Sequence, residues 1–476
     1  MGLQTLIAVE DLLLEKEIKA ILSKSKVKYE NLISPETSEI DWVKFKQELR
    51  SESDEKEIIL YIQPPKINYT SSLNLLLNDN LEIILKWFIR FNKIHQSIFQ
   101  LTNNKKIKIL NIISLPNDEQ NLISRIINNY VWKYYEGMLM ETINYGVNMG
   151  IIFRNQNESF WNHADALVRF FQTKNQWVYT NINKRILNQE IVSRSKVKYN
   201  KVIDWDYDKN KKVAIITGAS GGIGLAIAKY LIQNHWKVYS LSRQGGVNYG
   251  IIYIKCDLKD ENNIKSIINE IFAKEKAIHL IINNSGFGVG SSLENLDTDQ
   301  FEDMYRINVM GGLKLINLAL PFLNQTRGTI VNIGSMAGVF TIPFQVGYSL
   351  TKVLIDVYSE IILDQVNDKN IKIVNLMPGD TRSNFSKNRH LSVHDQNTRY
   401  KERIYKSIQK MEKDEHHGHK AELVAKCLYN NINKEILPIR FTIGKYKLLF
   451  KLSKMISPKM IFKKINKMYS QWENND

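Results

Sequence analysis

VAIITGASGGIGLA, residues 213–226, is the stretch that decides the fold. Its first five residues predict a buried strand, and the glycine-rich turn Thr217–Gly224 leads directly into a helical pattern. In this strand–turn–helix context Gly218 permits the tight turn, Gly222 lets the backbone approach a pyrophosphate, and Gly224 lets the helix pack on the strand. Free N–H groups at the helix N-terminus favour phosphate charge. The sequence therefore predicts a dinucleotide site here.

Strand and helix patterns alternate through the rest of the second half. The apolar segments KVYSLS, IIYIKC, IHLIINN, TIVNIGS and IKIVNLM are separated by loops and helical stretches. Such alternation predicts a parallel sheet with helices on both faces. The expected fold class is α/β, with a doubly wound, Rossmann-type parallel sheet.

The first half repeats the element order of the second. The strand KILNIIS at 108–114 aligns without gaps on TIVNIGS at 329–335, and similar helices and strands flank both copies. This order indicates a tandem duplication, although short apolar strands also align by chance. The domains predicted are a degenerate structural copy at 1–195, a linker at 196–210, and a catalytic domain at 211–476 with a basic tail at 440–467.

The first copy lacks the chemical groups of the second. Alignment of the strands places Ser114 at the position of Ser335. Alignment of the following helices places Asn129 and Lys133 where Tyr348 and Lys352 stand. No glycine-rich turn follows the first apolar stretch of this copy. We expect it to bind no dinucleotide.

The end of the second strand bears on the choice of cofactor. Ser242 and Arg243 follow that strand, and Arg243 stands nineteen residues after Gly224, where an NAD enzyme would present a carboxylate to the ribose 2′-hydroxyl. An arginine instead offers a cationic fork to a 2′-phosphate. NADP(H) is therefore favoured. The alternative is a solvated surface arginine, which would leave Ser242 alone to select the cofactor.

Motifs along the second half resemble those of the short-chain dehydrogenase/reductase family. They are the TGxxxGxG turn at Thr217–Gly224, Asp257-Leu258, Asn283-Asn284-Ser285-Gly286, Asn308 in RINVMG, Ser335 in NIGS, Tyr348 and Lys352 in YSLTK, and Pro378-Gly379 with Thr381. The third of these has Ser where the family motif has Ala. The resemblance covers the second half nearly end to end.

The resemblance implies two sets of site residues. The catalytic set is Asn308, Ser335, Tyr348 and Lys352. The cofactor-binding set is Thr217, Gly218, Ser220, Gly222, Ile223, Gly224, Ser242, Arg243, Asp257, Leu258, Asn284, Ser285, Gly286, Tyr348, Lys352, Pro378, Gly379 and Thr381.

Each catalytic residue has an expected role in carbonyl reduction. Tyr348 acts as the general acid, and Lys352, one helical turn away, should lower the pKa of its phenol. Ser335 donates a hydrogen bond to the substrate oxygen. Asn308 holds a water that connects Lys352 to solvent. The family resemblance adds contacts from Lys352 to the nicotinamide ribose.

The segment between Asp380 and His419 is predicted to be a polar lid over the substrate. Its aromatic residues Phe385, Tyr400 and Tyr405 are candidates to face a substrate. The HHGH sequence that ends it invites a metal interpretation, but no carboxylate or cysteine pattern completes such a site. We expect no metal.

The amino-acid composition indicates which partners and which cellular location to expect. The net charge of +16 accompanies a general abundance of Lys, Asn and Ile, so we expect no nucleic-acid partner. Residues 440–467 hold nine Lys or Arg and no acidic residue, which fits either an anionic membrane surface or an amphipathic element packed on its own domain. Cys256 and Cys427 form no disulfide framework, and no apolar run of 18 residues occurs, so a cytoplasmic location is expected.

The function expected is NADPH-dependent reduction of a ketone or aldehyde. One alternative is a ketoreductase for β-ketoacyl groups on an acyl carrier protein; another is a non-catalytic NADP-binding scaffold or sensor. The catalytic residues serve the oxidative direction equally. We expect either a higher homo-oligomer or a monomeric pseudo-dimer, in which the helices at Leu81–Leu101 and Tyr130–Ile143 face their counterparts in the second half.

Overall fold

The chain of the computed structural model divides into two compact units. One comprises Met1–Asn68 and Glu82–Ile191, and the other comprises Tyr69–Leu81 and Val192–Asp476. The structure describes residues 4–9, 12–24, 29–31, 55–62, 81–101, 106–115, 122–142, 147–155, 196–198, 211–366, 371–383, 385, 389–395, 398–434, 436–444, 446–452 and 458–469.

The first unit contains a five-stranded parallel sheet. Its strands are β1 (Gln4–Val9), β2 (Tyr29–Asn31), β3 (Glu55–Tyr61), β4 (Lys106–Leu115) and β5 (Val147–Asn155). Their order in the sheet is β2-β1-β3-β4-β5, and every pair is parallel. The described helices are α1 (Leu12–Lys24), α2 (Leu81–Leu101) and α3 (Leu122–Thr142). This is an α/β unit with its own parallel sheet.

The aligned serine of the first unit is held by a neighbouring strand. Ser114 is 1% exposed near the end of β4, and its hydroxyl accepts a 2.8 Å hydrogen bond from Nε of Arg154 on β5. On α3, Lys133 lies 2.8 Å from the Glu136 carboxylate. Both side chains thus have partners within their unit. Tandem duplication and the absence of a cofactor site there stay predictions.

The second unit is built on an eight-stranded sheet. Its strands, with the short accessory ones, are β6 (Lys196–Lys198), β7 (Val213–Thr217), β8 (Lys237–Ser242), β9 (Gly246–Asn248), β10 (Ile251–Lys255), β11 (Leu280–Asn283), β12 (Val289–Gly290), β13 (Thr329–Ile333), β14 (Lys372–Leu376), β15 (Thr381–Arg382), β16 (His390–Leu391), β17 (His419–Lys420), β18 (Ile436–Pro438) and β19 (Arg440–Phe441). The main sheet runs β19-β14-β13-β11-β7-β8-β10-β9. Only the β9–β10 pair in it is antiparallel. The doubly wound Rossmann-type sheet expected for this half is confirmed.

Helices complete the second unit. They are α4 (Gly222–Gln233), α5 (Glu261–Glu275), α6 (Thr298–Tyr305), α7 (Gly311–Thr326), α8 (Val346–Val366), α9 (Lys401–His416), α10 (Ala421–Ile432), α11 (Tyr446–Leu452) and α12 (Pro458–Tyr469). A π-helical turn at Arg306–Met310 joins α6 to α7. By length and composition alone the resulting stretch Thr298–Thr326 could cross a membrane, but 56% of its most apolar window is buried within the fold. Core helices of soluble proteins share these properties.

The order of the strands fixes where a ligand can bind. Successive strands leave β7 in one direction through β8 and β10, and in the other through β11, β13 and β14. In such sheets a crevice opens at the carboxyl ends of the strands where the order reverses, here between β7 and β11. Most of the predicted residues lie at or just after the carboxyl ends of β7, β8, β10, β11, β13 and β14, and the others lie on helical segments. The sheet therefore gathers most of them along one edge.

The predicted linker contains a short paired strand. Lys196–Lys198 pairs antiparallel with Ile436–Pro438, close to β19 at the edge of the main sheet. The rest of the predicted linker lies outside the described residues. The domain boundaries stay predictions.

Asp395 fastens the lid segment to the body of the second unit. Its side chain is 4% exposed and accepts hydrogen bonds from the Ser291 hydroxyl at 2.8 Å, the Ser292 hydroxyl at 2.7 Å, the Ser292 backbone N–H at 3.0 Å and the Asn295 amide at 2.9 Å. These donors belong to the segment that follows β12. A buried carboxylate is tolerated because so many donors surround it.

Replacement of this carboxylate should destabilise the unit. Asp395→Ala leaves several buried donors without an acceptor, so the free energy of unfolding should fall by about 3 kcal/mol. Urea unfolding of the full chain measures the change. Asp303→Ala is the matched control, because Asp303 forms only an exposed ion pair with Lys259 and should cost less than about 1 kcal/mol. Equal losses in the two variants would contradict the role given to Asp395.

Candidate active site

The glycine-rich turn adopts the conformation that a pyrophosphate site requires. Gly218 and Gly222 have φ of +70° and +55°, a region that favours glycine. A Cβ at Gly224 would lie 2.6 Å from the carbonyl oxygen of Gly218, so only glycine allows α4 to approach β7. Gly221 caps α4 with no side-chain hydrogen bond, and apart from its chain neighbours no described residue has an atom within 4 Å of where its Cβ would be. This open helix N-terminus fits a dinucleotide phosphate.

A set of hydrogen bonds joins this turn to the end of β11. The Thr217 hydroxyl oxygen accepts from the backbone N–H groups of Asn284 and Ser285, each at 2.9 Å. The Asn284 side-chain amide donates to the carbonyl oxygens of Thr217 and Gly218, each at 3.0 Å. We call this set the Thr217–Asn284 clasp. Ser285 lies so close to Gly218 that a Cβ on that glycine would stand 2.7 Å from its hydroxyl oxygen.

The expected adenosine-side residues lie beside one another at the sheet edge. Ser242 pairs with Lys255 in the β8–β10 ladder, and its hydroxyl donates to the Gln244 carbonyl at 2.5 Å. Arg243 is exposed and makes no ion pair with any residue that the structure describes. Asp257 is exposed and accepts from the Lys259 N–H at 2.9 Å, whereas Leu258 is 9% exposed. The arrangement leaves the Arg243 guanidinium available to a 2′-phosphate.

Asn308 lies in the π-helical turn, and its amide links α6–α7 to the segment after β11. Its Oδ1 accepts from the Phe287 N–H at 3.0 Å, and its Nδ2 donates to the Phe287 carbonyl at 2.9 Å and to the Thr351 hydroxyl at 3.2 Å. A Cβ at Gly286 would stand 3.0 Å from Oδ1 of Asn308. π-turns are rare and concentrate at functional sites. The predicted water held by Asn308 stays a prediction.

The other three catalytic candidates converge where β13 ends against α8. Ser335 follows β13 and caps the short turn after it, accepting from the Ala337 N–H at 3.1 Å. Tyr348 and Lys352 stand one turn apart on α8 and are 8% and 5% exposed. The Ser335 hydroxyl lies near enough to the Tyr348 phenol to act on its pKa. The structure thus brings together the hydroxyl pair and the lysine.

Burial is the largest influence on the pKa values of Tyr348 and Lys352. It raises the pKa of the Tyr348 phenol above its ordinary value, and the nearby Ser335 hydroxyl offsets part of the rise. The net shift is thus opposite to the lowering expected from Lys352, whose ammonium lies 5.6 Å from the ring centroid and donates to the Ile333 carbonyl at 2.8 Å. Burial also lowers the pKa of Lys352 to about 8.

The segment after β14 is covered by the start of the basic tail. The Pro378 carbonyl accepts from the Met336 N–H at 3.0 Å, and the hydroxyl of the buried Thr381 donates to the Gly379 carbonyl at 2.9 Å. The Tyr446 ring occupies the space that a side chain at Gly379 would need. Its hydroxyl hydrogen bonds with Asp380. The sequence did not single out Tyr446, because this contact joins segments far apart in the chain.

Other parts of the basic tail differ in exposure. Arg440 is largely buried, 2.5 Å from Asp356 and paired with Glu360. Leu448 and Met468 are 63% and 40% exposed. Part of the tail therefore packs on its own unit. Contact with a membrane stays a prediction.

Of the three lid aromatics, Phe385 lies nearest the catalytic tyrosine. Its ring centroid is 5.3 Å from that of Tyr348. Tyr400 is 1% exposed and donates to Glu294 at 2.7 Å, so it belongs to the core of the unit. Tyr405 is 61% exposed on α9. The sequence missed Arg389, whose guanidinium lies 6.0 Å from the Phe385 ring centroid.

The histidine segment forms no recognisable metal centre in the part of the chain that the structure describes, where no group of three or more His, Cys, Asp or Glu side chains could hold an ion. Nδ1 of His417 contacts the Lys413 carbonyl at 2.7 Å, and His419 packs against Tyr446 with ring centroids 6.2 Å apart. The absence of a metal from this protein stays a prediction.

Comparison with known proteins places this arrangement in a family. Residues 212–393 match the family model for short chain dehydrogenase. A probable short-chain type dehydrogenase/reductase of Helicobacter pylori is 31% identical over 181 residues, which cover 37% of this chain and 67% of that protein. A 3-ketodihydrosphingosine reductase of Bacteroides thetaiotaomicron is 29% identical over 236 residues, or 49% of this chain and 88% of the relative.

A third relative is the NADPH-dependent 1-acyldihydroxyacetone phosphate reductase of Saccharomyces cerevisiae. It is 29% identical over 192 residues, which cover 38% of this chain and 65% of that protein. The family match lies wholly within the second half of the chain. Because sequence, sheet order and clustered side chains agree, the chain is an oxidoreductase that belongs to the short-chain dehydrogenase/reductase family.

Proposed function

We propose that this protein is an NADPH-dependent reductase of a ketone or aldehyde, with Tyr348 as its proton donor. The observation that carries the proposal is the convergence of Ser335, at the end of β13, with the buried Tyr348 and Lys352 of α8. When bound, the cofactor would supply the hydride. The chain itself has to hold the carbonyl oxygen and deliver a proton to it.

The protonation of Tyr348 favours the reductive direction. Because burial raises its pKa, the phenol holds its proton at neutral pH. Reduction needs this form, since negative charge develops on the substrate oxygen and the phenol donates a proton there. Ser335 can donate a second hydrogen bond to the same oxygen.

Lys352 contributes a positive charge at neutral pH. With its pKa lowered to about 8, most of the ammonium groups stay protonated at pH 7. The Ile333 carbonyl fixes its position and orients it by one hydrogen bond. The remaining N–H donors can bind the ribose hydroxyls of a nicotinamide cofactor, as the family resemblance implies.

Arg243 supports NADPH as the preferred cofactor. Its exposed guanidinium follows β8, beside the turn where α4 begins. No carboxylate stands at this position to receive a ribose 2′-hydroxyl. The yeast relative is named as NADPH-dependent. These points favour a 2′-phosphate over a free 2′-hydroxyl.

Removal of the phenol hydroxyl tests the proton donor. Tyr348→Phe should lower kcat for NADPH-dependent reduction by about 100- to 10,000-fold, since a general acid contributes an effect of that size. Steady-state NADPH oxidation over a panel of ketones and aldehydes, free and thioester-bound, provides the measurement. Fluorescence titration should show NADPH binding retained.

Tyr358→Phe is the matched control for this variant. Tyr358 is a buried tyrosine on the same helix, and its hydroxyl makes only a 3.4 Å contact with Asn332. Its loss should leave kcat within about threefold, in keeping with one weak hydrogen bond. If Tyr348→Phe kept full activity with every compound that the wild type reduces, Tyr348 would be excluded as the proton donor.

Charge reversal at Arg243 tests the cofactor. Arg243→Glu should lower kcat/KM for NADPH at least about tenfold, because a charge-assisted hydrogen bond is replaced by repulsion. The value for NADH should stay the same or rise. Lys265→Glu makes the same charge change at an exposed position on α5 and should alter neither value. A wild-type preference for NADH would refute the assignment.

The pKa of Lys352 predicts how the activity should depend on pH. Since Lys352 loses its charge above pH about 8, kcat/KM for NADPH at saturating carbonyl substrate should be level below that pH and fall about tenfold per unit above it. In Lys352→Arg the charge persists beyond pH 12, so the break near 8 should disappear from whatever activity remains. A wild-type profile that stays flat to pH 10 would contradict this role.

A further inference from the structure

Arg389 is a charged side chain buried in the lid. It precedes β16, and its side chain is only 3% exposed. A cation in such a place requires partners for its five N–H donors, because loss of hydration is costly. The acceptors that surround the Arg389 guanidinium, and the N–H groups left without one, indicate what kind of group it can bind.

Two side chains accept hydrogen bonds from the Arg389 guanidinium. Nη2 donates to the Glu415 carboxylate at 3.0 Å. The Gln345 amide, in the orientation that satisfies both groups, accepts from Nη2 at 3.1 Å and also from Nε. Nη1 is buried and has no hydrogen-bond partner among the residues that the structure describes. One edge of the planar fork is therefore incomplete.

The incomplete guanidinium lies next to the reaction site. Gln345 stands three residues before Tyr348, where the helix that carries the proton donor begins. The Arg389 guanidinium lies 6.0 Å from the Phe385 ring centroid, and that ring is 5.3 Å from the Tyr348 ring. A side chain at Gly288 would touch the rings of both Phe385 and Tyr348. These residues form one wall around the catalytic phenol.

The charge of Arg389 reaches the phenol. It acts to lower the pKa of Tyr348, while Glu415 acts to raise it. Burial raises the pKa of Glu415, and Arg389 opposes that rise. Glu415 therefore engages one side of the guanidinium, while Nη1 has no acceptor among the described residues.

We propose that Arg389 binds an anionic oxygen group, a carboxylate or a phosphate, that the substrate carries within a few atoms of its carbonyl. This inference rests on the proposed reductase function and names its substrate class. Nη1 carries two N–H groups, which can donate charge-assisted hydrogen bonds to the oxygens of such a group. Binding also gives Nη1 the acceptor that the described structure lacks, where an unsatisfied buried donor costs about 1–3 kcal/mol.

Paired substrates test the assignment. The compounds are acetoacetate with methyl acetoacetate, and dihydroxyacetone phosphate with dihydroxyacetone, each assayed for NADPH oxidation by the full chain. The wild type should show kcat/KM at least about tenfold higher for one of the two anions than for its neutral partner, the effect of a charge-assisted hydrogen bond. The pair that responds distinguishes carboxylate from phosphate.

Variants then assign the preference to Arg389. Arg389→Gln should bring the anionic-to-neutral ratio close to one, because any change that it causes at Tyr348 affects both compounds equally and cancels in the ratio. Because this change leaves Glu415 buried without its partner, Arg389→Gln/Glu415→Gln is measured beside it and should give the same ratio. Lys401→Gln removes one exposed cation of the lid and should leave the ratio as in wild type.

Calorimetric titration of the NADP⁺-bound protein with the same compounds separates the two hypotheses. Anion binding that Arg389→Gln abolishes supports the inference even when no compound is reduced, and then the reductase proposal alone fails. The inference is overturned if anionic and neutral compounds bind and react alike in the wild type. Equal losses for both compounds in Arg389→Gln would overturn it also, since they indicate a lid-fastening role only.

Discussion

The Thr217–Asn284 clasp is the interaction on which the site depends. One hydroxyl oxygen and one amide fix the carboxyl ends of β7 and β11 to each other at the point where the strand order reverses. The segment after β11 then leads to Phe287. The side-chain amide of Asn308 hydrogen bonds with both the backbone N–H and the backbone carbonyl of Phe287. Cofactor turn, π-turn and catalytic helix are thereby joined through short hydrogen bonds, so their geometry is set before any ligand arrives.

The sequence predicted the second half well because its signals are local. Glycine positions, strand lengths and the one-turn spacing of Tyr348 and Lys352 report directly on backbone geometry and on shared helix faces. The sign of the Tyr348 pKa shift was missed because it depends on how completely neighbouring segments cover the ring. Arg389 and Tyr446 were missed for a related reason: their contacts join segments whose approach no spacing encodes.

The first unit illustrates the limit of pattern alignment. Its parallel sheet has the strand order that a Rossmann-like copy without outer strands would have. At the aligned strand end, however, a buried arginine binds the serine, and the lysine of the following helix pairs with its own helix. A parallel sheet can be kept while the residues at its carboxyl edge lose a catalytic role, because the side chains that pack the strands differ from those that would bind a ligand.

The π-turn at Arg306–Met310 has a consequence for how this chain can vary. A wider turn absorbs one extra residue there, so α6 and α7 continue one into the other while the sequence between them gains a position. Deletion of one residue would restore a regular helix and leave α7 packed on the sheet, but it would displace the Asn308 amide from Phe287 and Thr351. The residue count of this turn is therefore as constrained as the identity of Asn308.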